Sequence, residues 1–176
     1  KIDTTRTGTL VDIEVLGKKV QYTLDFIGPH IAYNTVGVLA CIHALNLDVE
    51  EAAISLKSIQ LPRGRGGQVE IPLKSGASLT LIDESYNANP IAMRAALAVL
   101  GSRMPRYGGR RVAILGDMLE LGVDGPCLHA NLLDHLLAAK PDLVITIGSL
   151  MRELYGKIPS TINCLHADRS IDVSKK

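Results

Sequence analysis

Tryptophan is absent from this 176-residue chain, phenylalanine occurs once, and aromatics make up only 3% of it. A core built from such a composition must rest on Leu, Ile, Val, Ala and Met. Neither sign of charge prevails: 19 basic residues face 18 acidic ones, a formal +1. That balance argues against a broad electrostatic footprint for nucleic acid or an anionic membrane. Long apolar runs are missing too. The nearest, "TVGVLACIHAL", stops at Asn46 and falls short of the roughly 20 residues of a membrane span. Cysteine is scarce: Cys41, Cys127 and Cys164 are odd in number and far apart. They match neither a disulfide framework nor a zinc spacing, and read as free, partly buried thiols of a reducing cytoplasm. No charged segment leading into an apolar core opens the chain, so no signal peptide is expected. Also missing is the Gly-Lys-Ser/Thr ending of a phosphate-binding P-loop.

What is present is an ordinary soluble composition, 47% apolar and 21% charged, long enough to bury roughly 70% of its unfolded surface. The sequence starts at Lys1 inside strand-like residues and stops at "IDVSKK", where another helix is predicted to begin, so a piece of a longer protein is expected. "GTLVDIEVLGKKVQYTLDFIG" alternates with period two on either side of Gly17-Lys18 and predicts a β-hairpin. A helix is predicted from about Ile31 to Leu45, and a second from Asp48, as its cap, to about Lys57. "QLPRGRGGQ" then breaks the pattern with Pro, three Gly and two Arg, and is the best linker. The boundaries that follow are 1–61, a linker over 62–67, and a second domain over 68–176.

Beyond the linker, "SLTLIDE", "RRVAILGD" and "DLVITIG" are each followed by a helical pattern, and "STINCLH" is a further strand. Strands alternating with helices predict an α/β domain with a mainly parallel, Rossmann-like sheet covered on both faces. Met93, Ala96, Leu97 and Leu100 share one face of the helix after Pro90.

In such folds ligands bind beyond the carboxyl ends of the strands. Three strands end in Asp83-Glu84, Gly116-Asp117 and Gly148-Ser149. For Gly148-Ser149 ordinary turn chemistry suffices. "IDESYNANP" asks for more. Asn89 as cap and Pro90 at the first helical position explain two residues. Asp83, Glu84, Ser85, Tyr86 and Asn87 remain, and carboxylates at a sheet edge commonly accept hydrogen bonds from ribose hydroxyls. The "GRGG" arginine is a poor nucleic-acid signal but could clamp a phosphate bidentately. Asn34 reads either as a cap or as an amide for an adenine edge, with His30 just before it. His129 and His135 are spaced wrongly for one metal-binding helical face.

Together "GPHIAYN", "LPRGRG", "LIDESYNANPIAMRAAL" and "VAILGDMLELG" resemble, in this order, the Mur ligases, and within them the D-alanyl-D-alanine-adding branch. The resemblance implies three domains, of which residues 1–61 would end the central P-loop ATPase domain and 68–176 form most of the C-terminal Rossmann-like one. It implies ATP and Mg2+, with the P-loop, the magnesium ligands and a carbamylated lysine all upstream. The substrates implied are UDP-MurNAc-tripeptide and D-Ala-D-Ala, and the reaction is amide formation through an acyl phosphate. Asn34 matches the adenine-contacting Asn, and His30 the motif His before it, although Ile31 stands where relatives often have Asn. Arg65 matches the Arg that reaches ATP across the domain interface and is the catalytic cation. Glu84 matches the ribose-binding acid, where most relatives have Asp. Asn87 and Asn89, with Tyr86 and Asp83, belong to the turn facing the dipeptide. Asp117, Glu120 and His129 fall in or after the second motif without an assigned role. A cytoplasmic monomer without nucleic-acid or membrane partners is expected, inactive as this piece alone. The other readings are a non-catalytic nucleotide- or peptide-binding module of the same fold, and an interaction domain whose polar turns are only caps.

Overall fold

Valine, tyrosine and leucine at every second position of Lys18–Leu24 point into one core, and this alternation organises the first part of the molecule. The computed structural model describes residues 1–5, 8–105 and 108–173. Its contacts divide the chain into two units, Lys1–Asp83 and Glu84–Lys176.

In the first unit, β1 (Ile2–Thr4), β2 (Thr9–Val15) and β3 (Lys18–Leu24) form an antiparallel sheet in that order. Val15 pairs with Lys18, so the two-residue loop is Leu16-Gly17, one position earlier than the Gly17-Lys18 expected. Both residues have positive φ, 47° and 89°, the geometry that matches the twist of a tight hairpin. Helix α1 (Pro29–Ala44) and helix α2 (Val49–Ser55), continued by a 3-10 turn over Leu56–Ser58, cover the sheet. Val11, Val20, Tyr22 and Leu24 meet Ala32, Leu39, Val49 and Ala53 in this core. The hydroxyl of Thr35 donates to the Ala32 carbonyl at 2.7 Å and so must accept from the Tyr22 hydroxyl, also at 2.7 Å. Burial raises the Tyr22 pKa, against a smaller opposing effect of this bond. Asp48 caps α2 as expected, accepting from the N–H groups of Glu50 and Glu51. These bonds hold its carboxyl below the ordinary value.

The unit closes with a hairpin of β4 (Gly67–Pro72) and β5 (Ser78–Asp83), paired antiparallel from Gly67↔Asp83 to Pro72↔Ser78. Here the expectation of β5 as a strand of the parallel sheet fails. The short connection through Gly76, at φ 83°, suffices for an antiparallel return, whereas a parallel crossover needs a dozen residues or more.

The second unit runs α3 (Pro90–Ser102), β6 (Val112–Gly116), a 3-10 turn over Gly122–Asp124, α4 (Gly125–Ala130), α5 (Leu133–Ala139), β7 (Leu143–Ile147), α6 (Arg152–Tyr155), β8 (Asn163–Ala167) and α7 (Ser170–Val173). Strands β6, β7 and β8 are parallel and adjacent in that order. Ala113, Leu115 and Val144 pack against Leu97, Leu132, Leu136, Met151 and Leu154. Met93 and Leu100 join Leu97 on this core, as their spacing predicts. The opposite face, with Val112, Ile114 and Leu165, is exposed, so cover on both faces is not met among the described residues. The strand order explains this. Right-handed crossovers that advance steadily in one direction bring their helices to the same face, and only a reversal of order would bring a helix to the other.

Candidate functional site

The stretch "DESYNANP" runs from the last residue of β5 into the first of α3. Asn89 is its cap: the side chain accepts the Ala92 N–H at 2.9 Å, its backbone is extended (φ −144°, ψ 165°), and Pro90 opens the helix. Asp83 and Glu84 are half-buried, while Tyr86, Asn87 and Asn89 are exposed. Asp83 belongs to the first unit and the residues from Glu84 onward to the second.

In the first unit the carbonyl of Asp83 accepts the N–H of Gly66 at 2.8 Å. This fixes the open end of the hairpin beside Arg65, which is exposed and whose N–H bonds the Pro62 carbonyl at 3.2 Å. Gly64 and Gly66 have φ of 77° and 78°, a backbone that side chains other than glycine rarely adopt.

At α1 the reading of Asn34 as a cap is corrected. The helix begins at Pro29 with Gly28 as its cap residue, because proline's fixed φ is already helical and its missing N–H costs nothing there. Asn34 therefore lies inside the helix with its side chain exposed. His30 is half-buried beside Gly28, where a Cβ would lie 2.7 Å from its Cε1. Burial lowers its pKa.

The carboxyl ends of the parallel strands hold groups for which the sequence suggested no role. Asp117, just after β6, accepts the N–H of Met151 at 2.7 Å and that of Leu150 at 3.2 Å. The Met118 N–H donates to Nε2 of the fully buried His129 at 2.9 Å. Gly148 N–H donates to the Ala167 carbonyl at 2.9 Å, so the ends of all three strands are stitched together. A second network lies nearby in the sheet. Thr146, His166, Asp168 and Arg152 connect in series: Thr146 Oγ1 is 3.0 Å from His166 Nδ1, His166 Nε2 is 3.6 Å from Asp168, and Arg152 donates to Asp168 at 2.6 Å. The Arg152 guanidinium, and His166 to a lesser degree, hold the Asp168 carboxyl below its ordinary value. No residue-to-residue signal within the sequence marks these links, since the partners are far apart along the chain.

His129 and His135 lie on separate helices, α4 and α5, not on one. Among the described residues no group of three or more His, Cys, Asp or Glu side chains could hold a metal ion, and no helix is long and apolar enough to cross a membrane. Cys41 and Cys127 are exposed and only Cys164 is partly buried. The three thiols are free, and the partial burial common for unpaired cysteine holds only for Cys164.

A parallel sheet advancing through βα units, with its polar groups gathered at the strand ends, defines an α/β protein of the Rossmann-like class. Residues 71–171 match the family model "Mur ligase, glutamate ligase domain". The chain belongs to the Mur ligase family. It is 34% identical over 146 residues to the UDP-N-acetylmuramoyl-tripeptide–D-alanyl-D-alanine ligase of Rickettsia prowazekii, a match covering 83% of this chain and 31% of that protein. A crystal structure of MurF from Acinetobacter baumannii superposes with a TM-score of 0.78 at 24% identity, over 95% of this chain and 35% of that one. The Thermotoga maritima MurF ligase in complex with ADP gives 0.74 at 21%, over 99% and 38%. These likenesses in structure bear out the α/β fold. The chain spans about a third of the length of the curated relatives it matches, 31% for those of R. prowazekii and Escherichia coli.

Proposed function

We propose that this chain is the C-terminal part of an ATP-dependent ligase that adds D-Ala-D-Ala to UDP-MurNAc-tripeptide during peptidoglycan precursor synthesis. The observation that carries this reading is the 34% identity to a ligase of that name across 83% of the chain. In this reading residues 1–61 complete a central ATP-binding domain, 62–67 are a hinge, and 68–176 are most of the C-terminal domain. The positive φ of Gly64 and Gly66 supports the hinge, because glycine absorbs wide backbone changes at little cost.

The donor types fit a nucleotide. Asn34 offers an exposed amide whose donor and acceptor would suit an adenine edge. Glu84 would accept from ribose hydroxyls, His30 would contribute to nucleotide binding, and Arg65 would meet the phosphates as a bidentate cation. Asp83, Tyr86, Asn87 and Asn89 would receive the dipeptide. When bound, ATP with Mg2+ supplies the activation of a carboxylate as an acyl phosphate, whose carbonyl the dipeptide amine then attacks as phosphate leaves. Arg65 would stabilise charge gathering on phosphate oxygens. The magnesium ligands belong to the part of the enzyme upstream of this chain. The enzyme is read as a cytoplasmic monomer, without nucleic-acid or membrane partners.

The test is phosphate release by the full-length protein given ATP, Mg2+ and UDP-MurNAc-tripeptide. Release that depends on added D-Ala-D-Ala, with none from residues 1–176 alone, is expected. Nucleotide binding without dipeptide-dependent release would make the protein a binding module instead.

A further inference from the structure

The Asp117 carboxylate of the second motif holds a turn still. Asp117 uses both carboxylate oxygens on backbone donors some thirty-three residues away, Leu150 and Met151. A charged acceptor makes stronger bonds to N–H than a neutral one. Gly148 makes the approach possible. With φ of 110°, it would carry a Cβ only 2.3 Å from Asp117 Cγ and 2.4 Å from each oxygen, so the carboxylate fills the space that any other residue's side chain would need. The next residue, Met118, is itself fully buried and gives its N–H to His129.

What these two anchors hold is unusual. Leu119 is 71% exposed, and Glu120 is an exposed residue at φ 61°. A left-handed conformation at a non-glycine residue is strained and persists where its surroundings over-determine it. The strained residue offers a carboxylate at the carboxyl end of β6, on the sheet edge where α/β folds take their ligands.

We propose that Asp117 is a positioning residue for amide formation: through the 118–121 turn it fixes the Glu120 carboxylate where the amino end of the dipeptide substrate is received. The inference rests on the ligase reading above. A free dipeptide arrives with an α-amino group of pKa about 8, largely protonated at neutral pH, and an exposed carboxylate is the complementary group for it. Asp117 does not touch the substrate in this account; Glu120 does.

The experiment is steady-state kinetics on the full-length ligase with Asp117→Asn and Glu120→Asn, varying D-Ala-D-Ala and ATP separately. Asp117→Asn keeps the size but replaces one accepting oxygen with an NH2 group facing an N–H donor. Glu120→Asn keeps a residue that tolerates the left-handed region and removes the charge, so it remains informative if the first variant folds poorly. Both are expected to raise KM for D-Ala-D-Ala at least tenfold while KM for ATP stays within twofold. Glu120→Asn should retain the wild-type Tm or exceed it. A dipeptide KM within twofold of wild type for Glu120→Asn overturns the proposal, as does an equal rise in both KM values. A wild-type enzyme with no dipeptide-dependent phosphate release overturns the ligase reading itself, and this inference with it.

Discussion

His129 holds Met118 by an exchange of roles between its two ring nitrogens. Nδ1 lies 2.6 Å from the Gly125 carbonyl, which can only accept, so Nδ1 carries the proton and Nε2 takes the Met118 N–H at 2.9 Å. The tautomer is thereby fixed, and both His129 and Met118 are fully buried. His129→Phe would fill the space and leave the Met118 donor without its acceptor. A buried donor stripped of its partner costs about 1–3 kcal/mol. Urea unfolding should show that loss, and His129→Gln, which can accept at a similar reach, should recover part of it. A phenylalanine variant as stable as wild type would mean that the donor is readily satisfied by water.

Asp117 and Gly148 form a pair whose substitutions should not add. Gly148→Ala puts a Cβ 2.3 Å from Asp117 Cγ at a φ of 110°. Overpacking costs typically about 1–3 kcal/mol, and the left-handed backbone adds about 1 kcal/mol more. In an Asp117→Ala background the clash is gone and only the backbone part remains. The double-mutant cycle should therefore return a coupling of about 1–3 kcal/mol, within the range found for residues in contact. Strict additivity would show that the carboxylate swings away at little cost.

What could be read along the chain was local chemistry. The Asp48 cap and the Asn89-Pro90 helix start are each complete within three residues, and both were legible. The β2–β3 hairpin was legible from its alternation, with the turn displaced by one because Leu16 takes a conformation usually left to Gly or Asn. The helical pattern after β6 gives no sign of a break, but the helix divides in two around Asn131-Leu132, where no proline marks the interruption. The pairing of β5 with β4 escaped because a short apolar strand carries no label for its partner. The link from Asp117 to Leu150 and Met151 escaped for the same reason: it depends on β6 and β7 lying side by side. Of the candidate residues, Asn34 could be narrowed only when the helix was seen to start at Pro29.

Asn89 allows its two proposed roles to be separated. The cap bond to Ala92 measures 2.9 Å, and replacing such a cap with alanine costs about 1 kcal/mol. Asn89→Ala should lose that amount in thermal or chemical unfolding. Asn89→Ser preserves a capping oxygen and should stay within a few tenths of a kcal/mol of wild type, yet it lacks the amide that would face the dipeptide. Wild-type stability with a raised KM for D-Ala-D-Ala is the expected result for serine in the full-length enzyme. If serine and wild type bind the dipeptide alike, Asn89 is a cap and nothing more.

His30 gives the pH dependence a definite sign. Burial lowers its pKa in the folded chain, so the fold prefers the neutral ring. An unfolded histidine, with a pKa of about 6.5, takes up its proton first as the pH falls. Between the unfolded value and the lower folded one, the unfolded state holds more protons, and stability falls with falling pH. The contribution is fully present above about 6.5 and is lost progressively below it, levelling off once the folded ring is protonated as well. Denaturation midpoints measured from pH 8 down to about 5 should therefore decline more steeply for wild type than for His30→Gln, which cannot titrate. Parallel profiles for the two proteins would show that His30 takes up its proton as readily in the folded chain as in the unfolded one.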